Sequence, residues 1–238
     1  MSKPNIIDEI IQCLKSQRDF DTTMDKDVLL EFINDPVSKC NSKSGAQVSV
    51  FDMPEWDALR DKCSKCMLCS LGQARTCRTF AEGYPHAELM FIWDVPQTDS
   101  GNIPLPGSPD ELLSRMIAAM MFDRANETCI VSVVKCCPAE NRNPSSDEMV
   151  SCVPYLKQQI AIVKPKTIVL LGVIPLLALF NLKDIAAHHG QWLDYDGIPV
   201  MPIYHPAFLL RNKMAKKDAW IDLQAVMTVF GRRPKSRK

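Results

Sequence analysis

The hydrophobic pattern changes period along this chain. Residues 4–18 place Ile6, Ile7, Ile10, Ile11 and Leu14 at helical spacing, and residues 26–34 repeat this with Val28, Leu29, Phe32 and Ile33. Two short amphipathic helices are predicted there. Residues 35–50 are polar, with Pro36, Gly45 and several serines, and read as a linker. A main domain then begins near Phe51. Trp56–Leu71 has helical spacing and carries Cys63, Cys66 and Cys69 at three-residue intervals on one face. Ala87–Val95 is a buried-strand candidate. Ser108-Pro109-Asp110-Glu111 supplies an N-cap, a proline at the first helical position and a capping-box acid, so a helix is expected through about Phe122.

The alternation continues. Thr128–Lys135 is a β-branched strand, and the capping box Ser145–Glu148 opens a helix to about Val163. Thr167–Leu171 is a strand closed by Gly172, followed by a short helix through Leu182. Trp192–Tyr195 and Ile198–Tyr204 flank an Asp196-Gly197 turn, either pairing or running on as the last strand, and a helix is expected from Pro206 to Phe230. Short, continuously apolar strands alternating with helices predict a three-layer α/β/α sandwich around a central, mainly parallel four-stranded sheet. An N-terminal helical extension (1–50), the main domain (51–231) and a basic tail (232–238) complete the plan. In such a fold the loops leaving the carboxyl ends of the strands build the site. Here those loops are Asp94–Gly107, Cys136–Pro144 and His205–Arg211.

Composition narrows the function classes. Of 238 residues, 46% are hydrophobic and 24% charged, as in ordinary soluble domains. The net charge is zero, yet residues 1–60 hold 7 basic and 11 acidic groups, leaving 21 basic and 17 acidic beyond. Arg211, Lys213, Lys216 and Lys217 form one basic run, and Arg232–Lys238 another. Such runs suit polyphosphate contact, although a basic tail is more often simply solvated. The longest apolar run, Ile168–Phe180, is interrupted by Gly172 and Pro175 and is too short to span a bilayer. The first residues lack a signal-peptide layout, so a cytoplasmic protein is expected. In a reducing compartment ten cysteines do not form a disulfide framework, and metal ligation becomes a candidate role.

Four cysteines stand out by spacing: Cys66 and Cys69 as C-x2-C, then Cys136 and Cys152. A tetrathiolate site would staple the start of the domain to its middle, as zinc or iron–sulfur. The plainer reading is four small buried hydrophobes. Cys63 and Cys137 each neighbour a nominated ligand and compete with it.

Several motifs now fall together. Cys66-x-x-Cys69-x-Leu71-x3-Arg75, Ala81-Glu82-Gly83, an apolar strand ending in Pro96, and Pro104-Leu105-Pro106-Gly107 form an ordered series. Val133-Val134-Lys135-Cys136-x-Pro138-x-x-Asn141-Arg142-x-Pro144 follows, then Cys152-x-Pro154-Tyr155-Leu156, then His205-Pro206-Ala207-x-Leu209-Leu210-Arg211. This series resembles the family 4 (iron–sulfur) uracil-DNA glycosylases over about Cys66–Phe230. The resemblance implies a glycosylase-like fold, a [4Fe–4S] cluster of structural role on Cys66, Cys69, Cys136 and Cys152, and DNA as partner of a monomeric enzyme. It implies Asp94 and His205 as catalytic residues, Leu105 and Ser132 as the substrate-contacting positions, and Leu209, Leu210 and Arg211 as DNA-binding. Its expected reaction is base flipping followed by hydrolysis of the uracil glycosidic bond in DNA.

The first motif departs from the family. Where the family has Gly-Glu-Ala-Pro-Gly, this chain has Trp93-Asp94-Val95-Pro96-Gln97, and Asp99 is the acid left to stand in for a following Glu-Asp pair. Leu105 replaces the phenylalanine that stacks on uracil, and Ser132 replaces the asparagine that reads its edge. An amide offers a fixed donor and acceptor, whereas a hydroxyl is one rotatable group, so weaker discrimination of uracil from cytosine is expected. A catalytically impaired DNA-binding member and a glycosylase with altered base preference are the alternatives this departure raises.

Overall fold

The computed structural model describes residues 53–74, 77–96, 106–139 and 142–233. The expected N-terminal helices and linker, Arg75, Gln97, Asp99, Leu105, Asn141 and residues 234–238 lie outside this set. Helices α1 (Pro54–Ser64) and α2 (Ser70–Ala74) precede strands β1 (Glu82–Gly83) and β2 (Leu89–Trp93). Then come α3 (Pro109–Ala119), β3 (Thr128–Ser132), α4 (Ser146–Val163), β4 (Thr167–Leu171), α5 (Val173–Phe180) and α6 (Ile185–His188). A hairpin of β5 (Leu193–Tyr195) and β6 (Ile198–Ile203) leads into α7 (Pro206–Arg211) and α8 (Lys213–Val229).

The strands form one sheet in the order β1-β3-β2-β4-β6-β5. Its four central strands are parallel, as expected, and the short antiparallel strands β1 and β5 extend it to six. β5 arises because Asp196, at φ 51, and Gly197, at φ 83, adopt the left-handed pair of a tight hairpin turn. Alternate residues of β2 face opposite layers. Leu89, Phe91 and Trp93 pack with α3 and α8, while Met90 and Ile92 pack with α4 and α5. Both faces are thus covered, the three-layer arrangement that continuously apolar strands require.

Two expected helices divide. The first ends at Ser64 rather than Leu71: its buried face (Trp56, Leu59, Cys63) stops there, and the apolar residues that continue the pattern, Met67 and Leu68, are exposed. Cys66 and Cys69 therefore sit on a loop instead of a helix face. The last breaks at Asn212, whose φ of −122 is extended and whose side chain accepts from Ala215 N–H to cap α8.

Glu148 joins distant segments at the start of α4. Its carboxylate accepts from both terminal nitrogens of Arg142 (2.9 and 2.7 Å), from Ser145 N–H (2.7 Å) and from Ser70 Oγ (2.8 Å). The Ser145 capping box expected from the sequence is complete. The Arg142 hydrogen bonds hold the Glu148 carboxyl far below the usual carboxylate range, at about 2, against the opposing effect of burial. A depressed carboxyl pKa stabilises the fold above its unfolded value and loses that stability as pH falls toward the folded one. Urea unfolding should therefore show stability dropping between about pH 4.5 and 2, by on the order of 2–3 kcal/mol from this group. Glu148→Gln is expected to lower stability at neutral pH and flatten that acid limb.

Candidate functional site

Parallel strands bring three candidate residues to one edge. Asp94 follows β2, Ser132 ends β3, and His205 follows β6. β3 and β4 lie on opposite sides of β2, so the connection from β3 to β4 crosses over it. Such a reversal opens a crevice at the carboxyl ends of the strands.

His205 is fixed from two sides. It is the N-cap of α7, and its Nδ1 accepts the Ala207 N–H at 3.1 Å. An imidazole nitrogen that accepts a hydrogen bond carries no proton, so the neutral ring bears its hydrogen on Nε2. That Nε2 lies 3.5 Å from Asp94 Oδ1, is buried, and makes no hydrogen bond within the described residues. Gly172, at φ 92, leaves room for the ring: a Cβ there would stand 2.8 Å from His205 Cβ. Asp94 is oriented in turn by the Val95 N–H, which donates to Oδ1 at 2.7 Å.

Trp93 and Ser132 are register partners on adjacent strands. Both line a cleft shared with Val95, Pro96, Asp110 and Arg124. The Ser132 hydroxyl donates to Val134 carbonyl oxygen at 2.7 Å. The Trp93 ring stands edge-on to His205, with centroids 5.1 Å apart. Arg124 crosses the cleft wall, paired with Asp110 (2.6 Å) and Glu82 (2.8 Å), a network without a signal in the motifs. Leu105 lies outside the described residues.

The structure separates the residues nominated for DNA. Leu209 is fully buried in the core packed by α3 and α8. Leu210 is exposed, together with Phe208 and Met214. Residues three or four apart share a helix face, so the neighbour of a buried residue points elsewhere. Arg211, Lys213 and Lys217 are exposed, whereas Lys216 is buried, its ammonium pKa lowered by burial and by Arg115 and Lys213. At the far end, Arg232 is drawn out of the expected tail onto Glu127 and the Phe122 ring.

Cys66, Cys69, Cys136 and Cys152 are all half-buried and line one cleft with Cys63, Lys135 and Tyr155. Cys137 leaves the competition: it forms a disulfide with Cys77, the one pair among the described residues that departs from free thiols. Residues 77–79 also hydrogen-bond the 135–137 segment, anchoring Cys136. Burial pushes the Cys152 thiol up to about 11, while its Sγ accepts the Lys135 N–H. Burial pulls the Lys135 ammonium down to about 8, against the neighbouring cysteines that raise it. Among the described residues no three His, Cys, Asp or Glu side chains close on a single metal-ion point. A cubane cluster places each thiolate on a different iron and takes a wider-spread set than a single ion does. Four thiols around one cleft beside a buried cation fit that requirement.

Among the described residues no helix is long and apolar enough to cross a membrane. The family model of the Uracil DNA glycosylase superfamily matches residues 80–224. The type-4 uracil-DNA glycosylase of Sulfurisphaera tokodaii is 35% identical across 69% of this chain and 80% of its own length. That of Saccharolobus solfataricus is 31% identical across 76% and 89%, and that of Archaeoglobus fulgidus 27% across 76% and 96%. The chain belongs to the uracil DNA glycosylase superfamily, beside its type-4 members.

Proposed function

We propose that this chain is a DNA repair glycosylase that hydrolyses the glycosidic bond of uracil in DNA and leaves an abasic site, acting as a monomer. The observation that carries the reading is the His205 Nε2 donor, held beside Asp94 at the carboxyl edge of the sheet with its other nitrogen satisfied by backbone. When the C1′–N1 bond breaks, its electron pair passes to the base and charge gathers on uracil O2. A preoriented N–H aimed at that oxygen stabilises charge only as it develops, which lowers the barrier. The Asp94 carboxylate favours the cationic sugar and orients the water whose oxygen adds to C1′, and the proton that water loses is balanced by the one the departing uracil anion takes up.

A base in a duplex must first leave the stack. Leu210 is the wedge in this reading, because it is exposed where Leu209 is core. Arg211, Lys213 and Lys217 would neutralise flanking phosphates, giving a salt-dependent affinity. Cys66, Cys69, Cys136 and Cys152 would hold a [4Fe–4S] cluster. When bound, that group supplies a structural tie between the loop before α2 and the segments around β3 and α4. A DNA-binding member without hydrolysis is the second reading, favoured by the bulk of Trp93 where the related motif has glycine.

His205→Asn should lower uracil release from a single-uracil oligonucleotide by about 10²–10³-fold. Equal rates for variant and wild type would remove the mechanism, and a wild type that binds DNA but releases no base would favour the second reading. Leu209→Ala should cost about 2–5 kcal/mol in denaturant unfolding. Leu210→Ala should leave stability nearly unchanged yet slow release from duplexes more than from single strands. Protein purified without oxygen should carry about four irons per chain with matching sulfide, and Cys152→Ser should lose both iron and thermal stability.

A further inference from the structure

Trp93 holds the unspent donor of the base cleft. Its side chain is buried, and its Nε1 makes no hydrogen bond within the described residues. Indole nitrogen only donates. Buried N–H groups are nearly always paired, so one left without a partner among the described residues, on a residue that lines a cleft, points to a ligand that supplies the acceptor. His205 Nε2 is the other such nitrogen at this edge and is already assigned to the departing base.

Ser132 completes the pattern. Its hydroxyl hydrogen is committed to the Val134 carbonyl, so toward the cleft it presents lone pairs and acts as an acceptor. Its register partner is Trp93, whose side chain lines the same cleft. One fixed acceptor and one fixed donor therefore stand side by side on neighbouring strands. An asparagine amide offers the same two functions from a single side chain, and this chain has none at position 132.

We propose that Trp93 and Ser132 together read the edge of the flipped base: the base N3–H donates to Ser132 Oγ, and Trp93 Nε1–H donates to the carbonyl at O4. Uracil presents that donor beside that acceptor. Cytosine presents the reverse, a bare N3 and an amino group, and meets a lone pair with a lone pair and a donor with a donor. Deamination is the change that converts one edge into the other. The pair thus separates damaged from undamaged pyrimidine, and the selectivity expected to weaken with the loss of asparagine is retained through two residues. The assignment rests on the glycosylase reading and deepens it.

The test compares two substrates. Pyrimidin-2-one in an oligonucleotide keeps O2, the His205 contact, but lacks both N3–H and O4. Trp93→Phe removes the indole N–H and keeps an aromatic ring. It should lower kcat/KM for uracil roughly 3–10-fold while pyrimidin-2-one release changes much less. Ser132→Ala should show the same substrate dependence, and it carries the test should Trp93→Phe not fold. Equal losses on both substrates would mean a packing role and overturn the assignment. Faster uracil release by Trp93→Ala would mean that the indole obstructs the cleft, and would overturn it too. A wild type that releases neither base fails at the glycosylase reading itself, before any variant is compared, and takes the assignment with it.

Discussion

The Ala207 N–H bond to His205 Nδ1 decides what the site is able to do. A helix start leaves backbone donors unsatisfied, and here the N-cap side chain is the imidazole itself. The interaction that begins α7 therefore also fixes the ring orientation and places the hydrogen of the neutral ring on Nε2. Gly172 makes the position possible, since a β-carbon at that point after β4 would collide with the His205 Cβ. Local helix chemistry, the close approach of two strand ends and the electrostatics of the site are one constraint seen at three scales.

A second tie holds the other side of the domain. Cys66 and Cys69 lie on a loop that α1 abandons, and a loop alone does not hold thiols in a fixed arrangement. Ser70, the residue after Cys69, donates to Glu148 at the start of the helix that carries Cys152. Arg142 and the Ser145 cap converge on the same carboxylate. Distant parts of the thiol-lined cleft are thereby joined by a protein network. Lys135 connects this region to the other: its backbone N–H reaches Cys152 Sγ and its ammonium donates to the Ser132 carbonyl. The residue beside the cleft of thiols also steadies the strand end that lines the cleft of Trp93 and Ser132.

Where a pattern is local, the sequence was enough. Both serine caps and the four central strands follow from turn chemistry and period, and the structure bears them out; of the two outcomes left open at Asp196-Gly197, the structure shows the paired hairpin. Helix interruptions were not legible. Trp56–Leu71 keeps its apolar period through Met67 and Leu68, but period does not tell whether a neighbour exists to cover those residues. Asn212 is an ordinary helix residue until its side chain is seen capping the next turn. Burial within the basic run was equally hidden, because Leu209 and Leu210, or Lys216 and Lys217, differ only in which side of a helix meets the sheet. Asp94, Ser132 and His205 were nominated from the family resemblance, and the structure sets all three at the carboxyl ends of parallel strands, a placement that follows from topology.

Two of the departures from the family, Trp93 and Ser132, are register partners, and that is informative about their cause. A lone change from glycine to tryptophan at the end of β2 would fill space that a base needs. A lone change from asparagine to serine would remove one of two readout groups. Together they divide hydrogen-bonding capacity between adjacent strands: the larger residue brings a donor, and the smaller one, its hydrogen turned inward, keeps an acceptor. Loss of function by drift has no reason to leave a donor and an acceptor on register partners that line one cleft. Compensation of the kind proposed for Trp93 and Ser132 does, because each residue's change is then constrained by what its neighbour must supply.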